Sequence, residues 1–458
     1  MAPTYRVQNP VTNEVLETFD FATEAEIEGA LGKAAAAFQD WGSRPISERA
    51  EIMTRVSELF LERKEELAKI ASREMGKPDR EIKGEIEFSA EIIKYYADNG
   101  AEFIEEQQIP AGGGKKATIR RLPIGPLLGI MPWNFPYYQI ARFIGPNMML
   151  GNTILLKDAE ICPTSALAVQ QIMDDAGVPE GVYNNVFASH DQCADIIADP
   201  RIQGVSLTGS ERAGSAVGAL AGKHLKKSVL ELGGSDPYVL LDTDDVKEAA
   251  KTAWQTRMFN TGQACNSNKR MIVMDDIYDD FVDELVSLAG EMTPSTPDED
   301  GPTKYSPLSS RDAAEKLDRQ LKDAVTAGAN LRIGGELADD GAYISPAVLT
   351  DLPRGTDSYY EEFFGAVASV FKVSSDEEAL ELANDTQYGL GGAVFSQDIE
   401  RARAVARQIN VGMASVNTPE AAGAELPFGG VKRSGYGREM GPLGMDEFVN
   451  KQMYYEAD

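Results

Sequence analysis

The run Gly262-Gln263-Ala264-Cys265-Asn266 puts a cysteine just after a glycine turn, downstream of Glu231 in Leu230-Glu231-Leu232-Gly233-Gly234. A thiol is a good covalent catalyst only if something lowers its pKa or takes its proton. A glutamate presented on a Gly-Gly turn could activate a water or that thiol. Upstream, Asn134 in Pro132-Trp133-Asn134-Phe135-Pro136 offers a side-chain amide donor. Nucleophile, base and oxyanion donor are the three parts that acyl chemistry needs. Each alone has a plainer reading. A lone cysteine is more often a small buried hydrophobe, and a glutamate before Gly-Gly usually ends a strand. The inference rests on the set.

Positioning these residues requires a framework, and the chain carries the pattern of one. Helices are predicted over 22–39, with Thr23 as N-cap, and over 47–72 and 84–105. Gly112-Gly113-Gly114 makes a turn before a strand over 117–122. From 151 to 234 short apolar runs alternate with helical ones: strands at 153–156, 181–186, 204–207 and 228–232, helices at 163–175, 191–198 and 210–222. This βαβ rhythm predicts a doubly wound parallel sheet, which binds ligands beyond the carboxyl ends of its strands. A second alternating region from 249 to about 416 predicts another α/β unit, with helices at 277–289, 311–327 and 376–384. The glycine-rich Rossmann fingerprint is absent. Thr208-Gly209-Ser210, between a strand and a helix, offers helix N-terminal amides and a hydroxyl to a phosphate, although a serine there is also ordinary capping chemistry.

At 458 residues, with 43% hydrophobic content, two or three domains are expected. No 18-residue apolar run exists, so no membrane span is expected. Met1-Ala2-Pro3-Thr4-Tyr5-Arg6 lacks the basic and apolar regions of a secretory signal. Three cysteines form no spaced framework and point to a reducing cytoplasm; two histidines, neither in a Cys/His cluster, predict no metal site. The net charge of −29 argues against nucleic acid and anionic membranes as partners. The acidic residues are spread along the chain. The plain reading is a solvated face on each helix; the sharper one is adaptation to a saline cytoplasm, as in halophiles.

The motifs also carry a resemblance. Pro132-Trp133-Asn134-Phe135-Pro136, Leu155-Leu156-Lys157, Leu207-Thr208-Gly209-Ser210, Glu231-Leu232-Gly233-Gly234, Gly262-Gln263-Ala264-Cys265, Glu361-Glu362-Phe363-Phe364-Gly365 and Pro427-Phe428-Gly429-Gly430 run in the order found in NAD(P)-dependent aldehyde dehydrogenases, across nearly the whole chain. The run through Ser235-Asp236-Pro237, with Lys227 close by, resembles the short succinate-semialdehyde dehydrogenase branch. The resemblance implies an NAD-binding domain over 1–104 and 124–233, a catalytic domain over 234–433, and a small β oligomerisation element from 105–123 and 434–458, in a homodimer or homotetramer. It implies Cys265 as nucleophile, Glu231 as base and Asn134, with the Cys265 N–H, as oxyanion hole. Trp133, Lys157, Glu160, Gly209, Ser210, Glu362 and Phe364 would hold the cofactor, with Lys157 and Glu160 at the adenosine ribose. A 2′-phosphate there would meet the Glu160 carboxylate, so NAD is expected to be preferred, with NADP possible. Asp158 and Ala366 stand where the family commonly has proline.

Arg142 follows Asn134 by about two helical turns and could face the same cavity. It could grip a substrate carboxylate or only salt-bridge structurally. Succinate-semialdehyde dehydrogenases commonly carry arginine there; a second arginine that some of them carry is replaced here by Phe259, with Arg257 nearby. Phe135 and Phe259 are expected to line the substrate pocket, and Glu439 to assist proton movement or to form a salt bridge. Other readings remain open at this point: another small aldehyde, a non-redox cysteine hydrolase or acyltransferase, a CoA-acylating dehydrogenase, or a silent binding protein on the same fold.

Overall fold

The computed structural model describes residues 4–112, 115–299, 301–419 and 421–456. Met1 to Pro3, Gly113 and Gly114 lie outside the described residues, and so do Ala457 and Asp458 of the expected oligomerisation element. The protein is mixed α/β, built on two large, mainly parallel sheets.

The first sheet has the strand order Gly435–Tyr436, Lys227–Glu231, Gly204–Thr208, Pro126–Ile130, Thr153–Lys157, Tyr183–Asn185, with Gly435–Tyr436 antiparallel. Chain order reverses at Pro126–Ile130, which pairs with Thr153–Lys157 on one side and Gly204–Thr208 on the other. A crevice opens at the carboxyl end of such a switch strand. Here that end runs directly into Trp133 and Asn134, with Lys157 ending one neighbour and Thr208-Gly209-Ser210 leaving the other. The second sheet has the order Asn330–Ile333, Ala347–Thr350, Val367–Val373, Arg270–Met274, Pro237–Leu240, Gly391–Phe395, Met413–Val416, parallel except for Asn330–Ile333. A separate antiparallel sheet joins Val449–Glu456, Lys116–Pro123 and Gln107–Pro110.

Local rules account for most of the helices. Glu24–Trp41 starts at Thr23, whose hydroxyl accepts from Glu26 N–H while the Glu26 carboxylate accepts from Thr23 N–H, a reciprocal capping box. The predicted single helix over 47–72 is instead two, Ile46–Glu62 and Lys64–Met75, broken at Arg63. The apolar spacing runs through both pieces, so periodicity alone did not reveal the break. The next helix, Asp79–Phe103, begins earlier than the predicted 84–105.

That earlier start matters to the site. Glu85, on its second turn, accepts from the backbone N–H groups of Tyr137 and Tyr138 at 2.9 and 3.1 Å. The helix Tyr138–Leu150 has no side-chain cap of its own. A carboxylate from another helix therefore satisfies its orphan amides and favours the positive end of its dipole. Glu85 also holds the fully buried Lys77 at 2.7 Å, and the Lys77 ammonium lies 3.7 Å from the centre of the Phe135 ring. The turn that carries Asn134 is thus anchored from beneath.

Candidate active site

Asn134 and the Cys265 loop come from different sheets and are laced together. Asn134 Nδ2 donates to the Gln263 carbonyl at 3.0 Å. Asn260 Nδ2 donates to the Asn134 carbonyl at 2.9 Å and to the Gln263 carbonyl at 3.2 Å. Asn260, Thr261 and Gly262 all have positive φ, at 49°, 51° and 76°. For the two non-glycine residues this costs roughly 1–3 kcal/mol each. The turn is held by Glu81, which accepts from Asn260 N–H at 2.7 Å, and by the buried Arg257, which donates to the Gly262 carbonyl at 3.0 Å. Arg257 also donates to the carbonyls of Val367, Phe363 and Gly365. It is a backbone clamp, with no free face for a substrate.

Cys265 is a free, half-buried cysteine. Burial pushes its thiol up to about 12; Arg142 and Lys269 pull it down, while Glu362 and Glu231 raise it further. Glu231 ends its strand as predicted and is buried, with no hydrogen-bond partner for either carboxylate oxygen among the described residues. Burial first, then Glu439, hold its carboxyl well above the usual range, against Arg142 and Arg438. Gly233-Gly234 crosses between these parts. A Cβ on Gly234 would overlap the Cys265 carbonyl, and one on Gly233 the Glu362 carboxylate.

The residues expected at the cofactor lie along the carboxyl ends of the first sheet and beside this crossing. Lys157 donates to Glu160 at 2.6 Å, with His190 at 3.5 Å from the same oxygen. Burial raises the Glu160 carboxyl, but Lys157, with a backbone hydrogen bond and His190 adding to it, brings it below its ordinary range. Ser210 caps the helix Glu211–Lys223, accepting from Ala213 N–H at 3.3 Å, and Gly209 N–H is bonded to the Glu231 carbonyl. Glu362 accepts from Gly234 N–H at 3.0 Å and pairs with Lys269 at 3.1 Å. Phe364 meets Trp133 edge to face at 5.8 Å. Neither Lys269 nor Asn260 was singled out from the sequence; a lysine four residues after a cysteine carries no signal of its own.

Around the aldehyde side, Phe135 stacks on Phe259 at 5.8 Å, and Phe259 is 41% exposed. Arg142 is fully buried. Its Nε lies 2.7 Å from Glu439 Oε2, an ion pair whose geometry is poor for a hydrogen bond. Its other nitrogens donate to Gln139 at 2.6 Å and the Tyr138 hydroxyl at 3.3 Å. The structure therefore has the salt-bridged arrangement of Arg142, with Glu439 as its internal partner. A cavity of about 400 Å³ elsewhere, lined in part by Asp242, Asp245 and Glu248, involves none of these residues.

Comparison with known proteins gives the family. The aldehyde dehydrogenase family model matches residues 2–454. The chain belongs to the aldehyde dehydrogenase family. It is 49% identical over 446 residues to a succinate-semialdehyde dehydrogenase [NADP(+)] of Deinococcus radiodurans, covering 97% of this chain and 93% of that one. It superposes with a TM-score of 0.96 on succinic semialdehyde dehydrogenase from Streptococcus pyogenes in complex with NADP+, at 40% identity, covering 99% of this chain and all of the other. An aldehyde dehydrogenase from Bacillus cereus in complex with NAD+ superposes at 0.95 with 32% identity, covering 99% of this chain and 93% of that one. The protein is an NAD(P)-dependent oxidoreductase that oxidises an aldehyde. Its residues fit a dinucleotide: a carboxylate held at the Gly233-Gly234 crossing, where no Cβ intervenes, and a lysine–glutamate pair at the carboxyl edge of the sheet. Among the described residues no helix is long and apolar enough to cross a membrane.

The pH dependence follows from the site. With Cys265 as nucleophile and Glu231 as base, the roles the resemblance implies, both groups would work deprotonated; burial raises both, so the active fraction would grow as protons are removed. kcat/KM for the aldehyde should rise continuously from about pH 6 to about pH 9. A profile that falls across that interval would contradict the assignment of both groups.

Proposed function

We propose that this dehydrogenase oxidises succinate semialdehyde to the dicarboxylic acid through a Cys265 thioester. The observation that carries the chemistry is the meeting of Asn134, Cys265 and Glu231 from three separated segments. The substrate is supported by relatives that carry that name along nearly the whole chain. The Cys265 thiolate adds to the aldehyde carbon, and the oxyanion accepts from the Asn134 amide and the Cys265 N–H; one such donor is worth about 3 kcal/mol. Asn134 Nδ2 has a second N–H beyond the one on Gln263. When bound, the nicotinamide supplies the electron-pair acceptor that turns the adduct into a thioester. Glu362 and Phe364 would orient it, Lys157 and Glu160 would hold the adenosine ribose, and Gly209-Ser210 would meet the pyrophosphate. Glu231 then takes a proton from water as it attacks the thioester carbon, and the Cys265 thiolate leaves. Glu439 passes or anchors charge beside it.

The same reading divides the chain into a cofactor-binding part (1–104 and 124–233), a catalytic part (234–433) and an oligomerisation element (105–123 and 434–458), in a cytoplasmic homo-oligomer. The element's outer strand supports that: Met453 is 60% exposed, and Tyr454 and Tyr455 are exposed beside it on a sheet edge. A monomer by sedimentation would remove the oligomer. A saline interior suits the −29 charge, and loss of stability below physiological salt is its measurable mark.

Glu231→Gln should give a burst of reduced cofactor and then slow turnover, because oxidation precedes hydrolysis. An unchanged steady rate would assign the base elsewhere.

Arg142 carries the substrate side of the proposal. Its guanidinium sits beside the thiol, and a substrate carboxylate reaching it would share it with Glu439. With CoA absent, reduced-cofactor absorbance should show succinate semialdehyde preferred to butanal by about tenfold or more. Arg142→Leu should erase that ratio, measured at fixed high salt. Equal ratios in the two proteins would make Arg142 purely structural, and turnover dependent on CoA would replace hydrolysis by acyl transfer.

For the cofactor, Glu160 favours NAD, because a 2′-phosphate would have to compete with a carboxylate already bonded to Lys157. Glu160→Gln should raise the NADP:NAD ratio of kcat/KM by about tenfold, of the order of one charge-assisted contact. A wild-type protein that already prefers NADP would show that Glu160 does not face the ribose.

A further inference from the structure

Lys269 has no part in the mechanism above, yet its ammonium sits against the backbone of Cys265 and the carboxylate of Glu362. It is 1% exposed. Its ammonium donates to the Ala264 carbonyl at 2.6 Å and to the Cys265 carbonyl at 2.8 Å, and it faces Glu362 Oε1 at 3.1 Å. Three N–H donors meet three oxygens. Glu362 Oε1 is itself shared with the Gly234 N–H. A buried lysine needs a compensating charge, and one carboxylate would suffice for that. Two backbone carbonyls flanking the nucleophile are a more specific arrangement.

The Ala264 carbonyl and the Cys265 N–H belong to one peptide unit. That unit is planar and trans, so its N–H points opposite its C=O. A cation on the oxygen fixes the direction of the N–H. It also draws electron density toward the oxygen and makes the N–H a stronger donor; hydrogen bonds linked in this way strengthen one another by roughly 10–30%. The second bond, to the Cys265 carbonyl, fixes the next peptide, so the backbone is held on both sides of the nucleophile.

We propose that Lys269 is a positioning residue for the oxyanion hole, orienting and polarising the 264–265 peptide, and that its pairing with Glu362 ties this peptide to cofactor occupancy. The inference deepens the reading of Cys265 as nucleophile and rests on it. Ribose hydroxyls bound by Glu362 compete with Lys269 for the carboxylate. The ammonium then acts more fully on the two carbonyls, so the bound cofactor prepares the nucleophile's backbone before the aldehyde arrives.

The thiol reports on the same cation. The charged and titratable groups that face it are Arg142 and Tyr138 of the helix Tyr138–Leu150, Lys269 of its own loop, Glu362 of the segment before Val367–Val373, and Glu231 of the strand Lys227–Glu231. Lys269 favours the thiolate, so removing its charge moves the thiol's titration further up.

The test uses the full chain with succinate semialdehyde and NAD. Lys269→Met and Lys269→Gln should lower kcat by about tenfold or more while changing the aldehyde KM less than about threefold, the split expected of an interaction made in the transition state. Iodoacetamide labelling of the Cys265 peptide against pH, read by mass spectrometry, should shift to higher pH in both variants. NAD should displace the wild-type labelling profile and leave that of the neutral variants in place. Lys269→Arg keeps the charge; it should keep the labelling midpoint and recover part of kcat. Neutral variants with kcat within about twofold of wild type, or with an NAD-dependent labelling shift like that of wild type, would overturn the inference. If the neutral variants fail to fold, Lys269→Arg decides: a midpoint displaced upward despite the retained charge overturns it. Cys265→Ala separates the two readings. Turnover by that variant would remove the nucleophile itself, whereas an inactive Cys265→Ala beside an ordinary Lys269→Met would remove only the role of Lys269.

Discussion

The site depends on a backbone crossing that leaves no room for a side chain. Gly233-Gly234 passes between the Cys265 carbonyl and the Glu362 carboxylate, and a Cβ on either glycine would overlap one of them. This crossing connects the end of the first sheet at Glu231 with the start of the second at Pro237–Leu240. Any side chain there would push the Cys265 loop away from Glu231. A displacement of about 1 Å is enough to cost a hundredfold in rate. The hydrogen bond from Gly234 N–H to Glu362 and the ion pair of Glu362 with Lys269 are possible because the strip is bare. The same economy recurs at Gly262, whose positive φ and contact with the Gly365 backbone let the cysteine loop close.

Charge is arranged in opposite senses outside and inside. The chain as a whole carries −29, and most of its ion pairs lie on the surface, where they contribute little each. The buried site brings together Arg142, Lys269 and Arg257 with Glu231, Glu362 and Glu439. Burial disfavours the charged forms of Cys265 and Glu231. Arg142 and Lys269 oppose that penalty at the thiol, and Arg142 opposes it at Glu231. Arg142 and Lys269 have carboxylate partners inside, while Arg257 is held by backbone carbonyls and the Ser267 hydroxyl.

Much of the framework was legible because it is local. Helices at Pro163–Asp175, Arg311–Ala327 and Asp376–Asn384 match their predicted bounds, and the four predicted strands of the first sheet lie within a residue or two, whereas its switch strand Pro126–Ile130 and its edge Gly435–Tyr436 were not foreseen. Periodicity and capping act over a few residues, so a reader of the sequence sees them. The break at Arg63 was invisible because both halves keep the same apolar face. The partner of Arg142 was invisible for a different reason: Glu439 lies nearly three hundred residues away, and only the fold brings them together. Glu81 and Glu85 looked like ordinary charges on a helix, yet they hold Asn260 and the amides that follow Asn134.

By itself, the sequence determined the residue types for covalent acyl chemistry, the alternation of strands and helices that builds two parallel sheets, and the motif order of the family. Those properties depend on composition and short-range spacing. Tertiary structure alone decided that Arg142 is paired, that Arg257 is a backbone clamp, and that Lys269 links the Cys265 backbone to Glu362. Each depends on distances between groups far apart in the chain, and a buried charge takes its role from the oxygen the fold sets beside it.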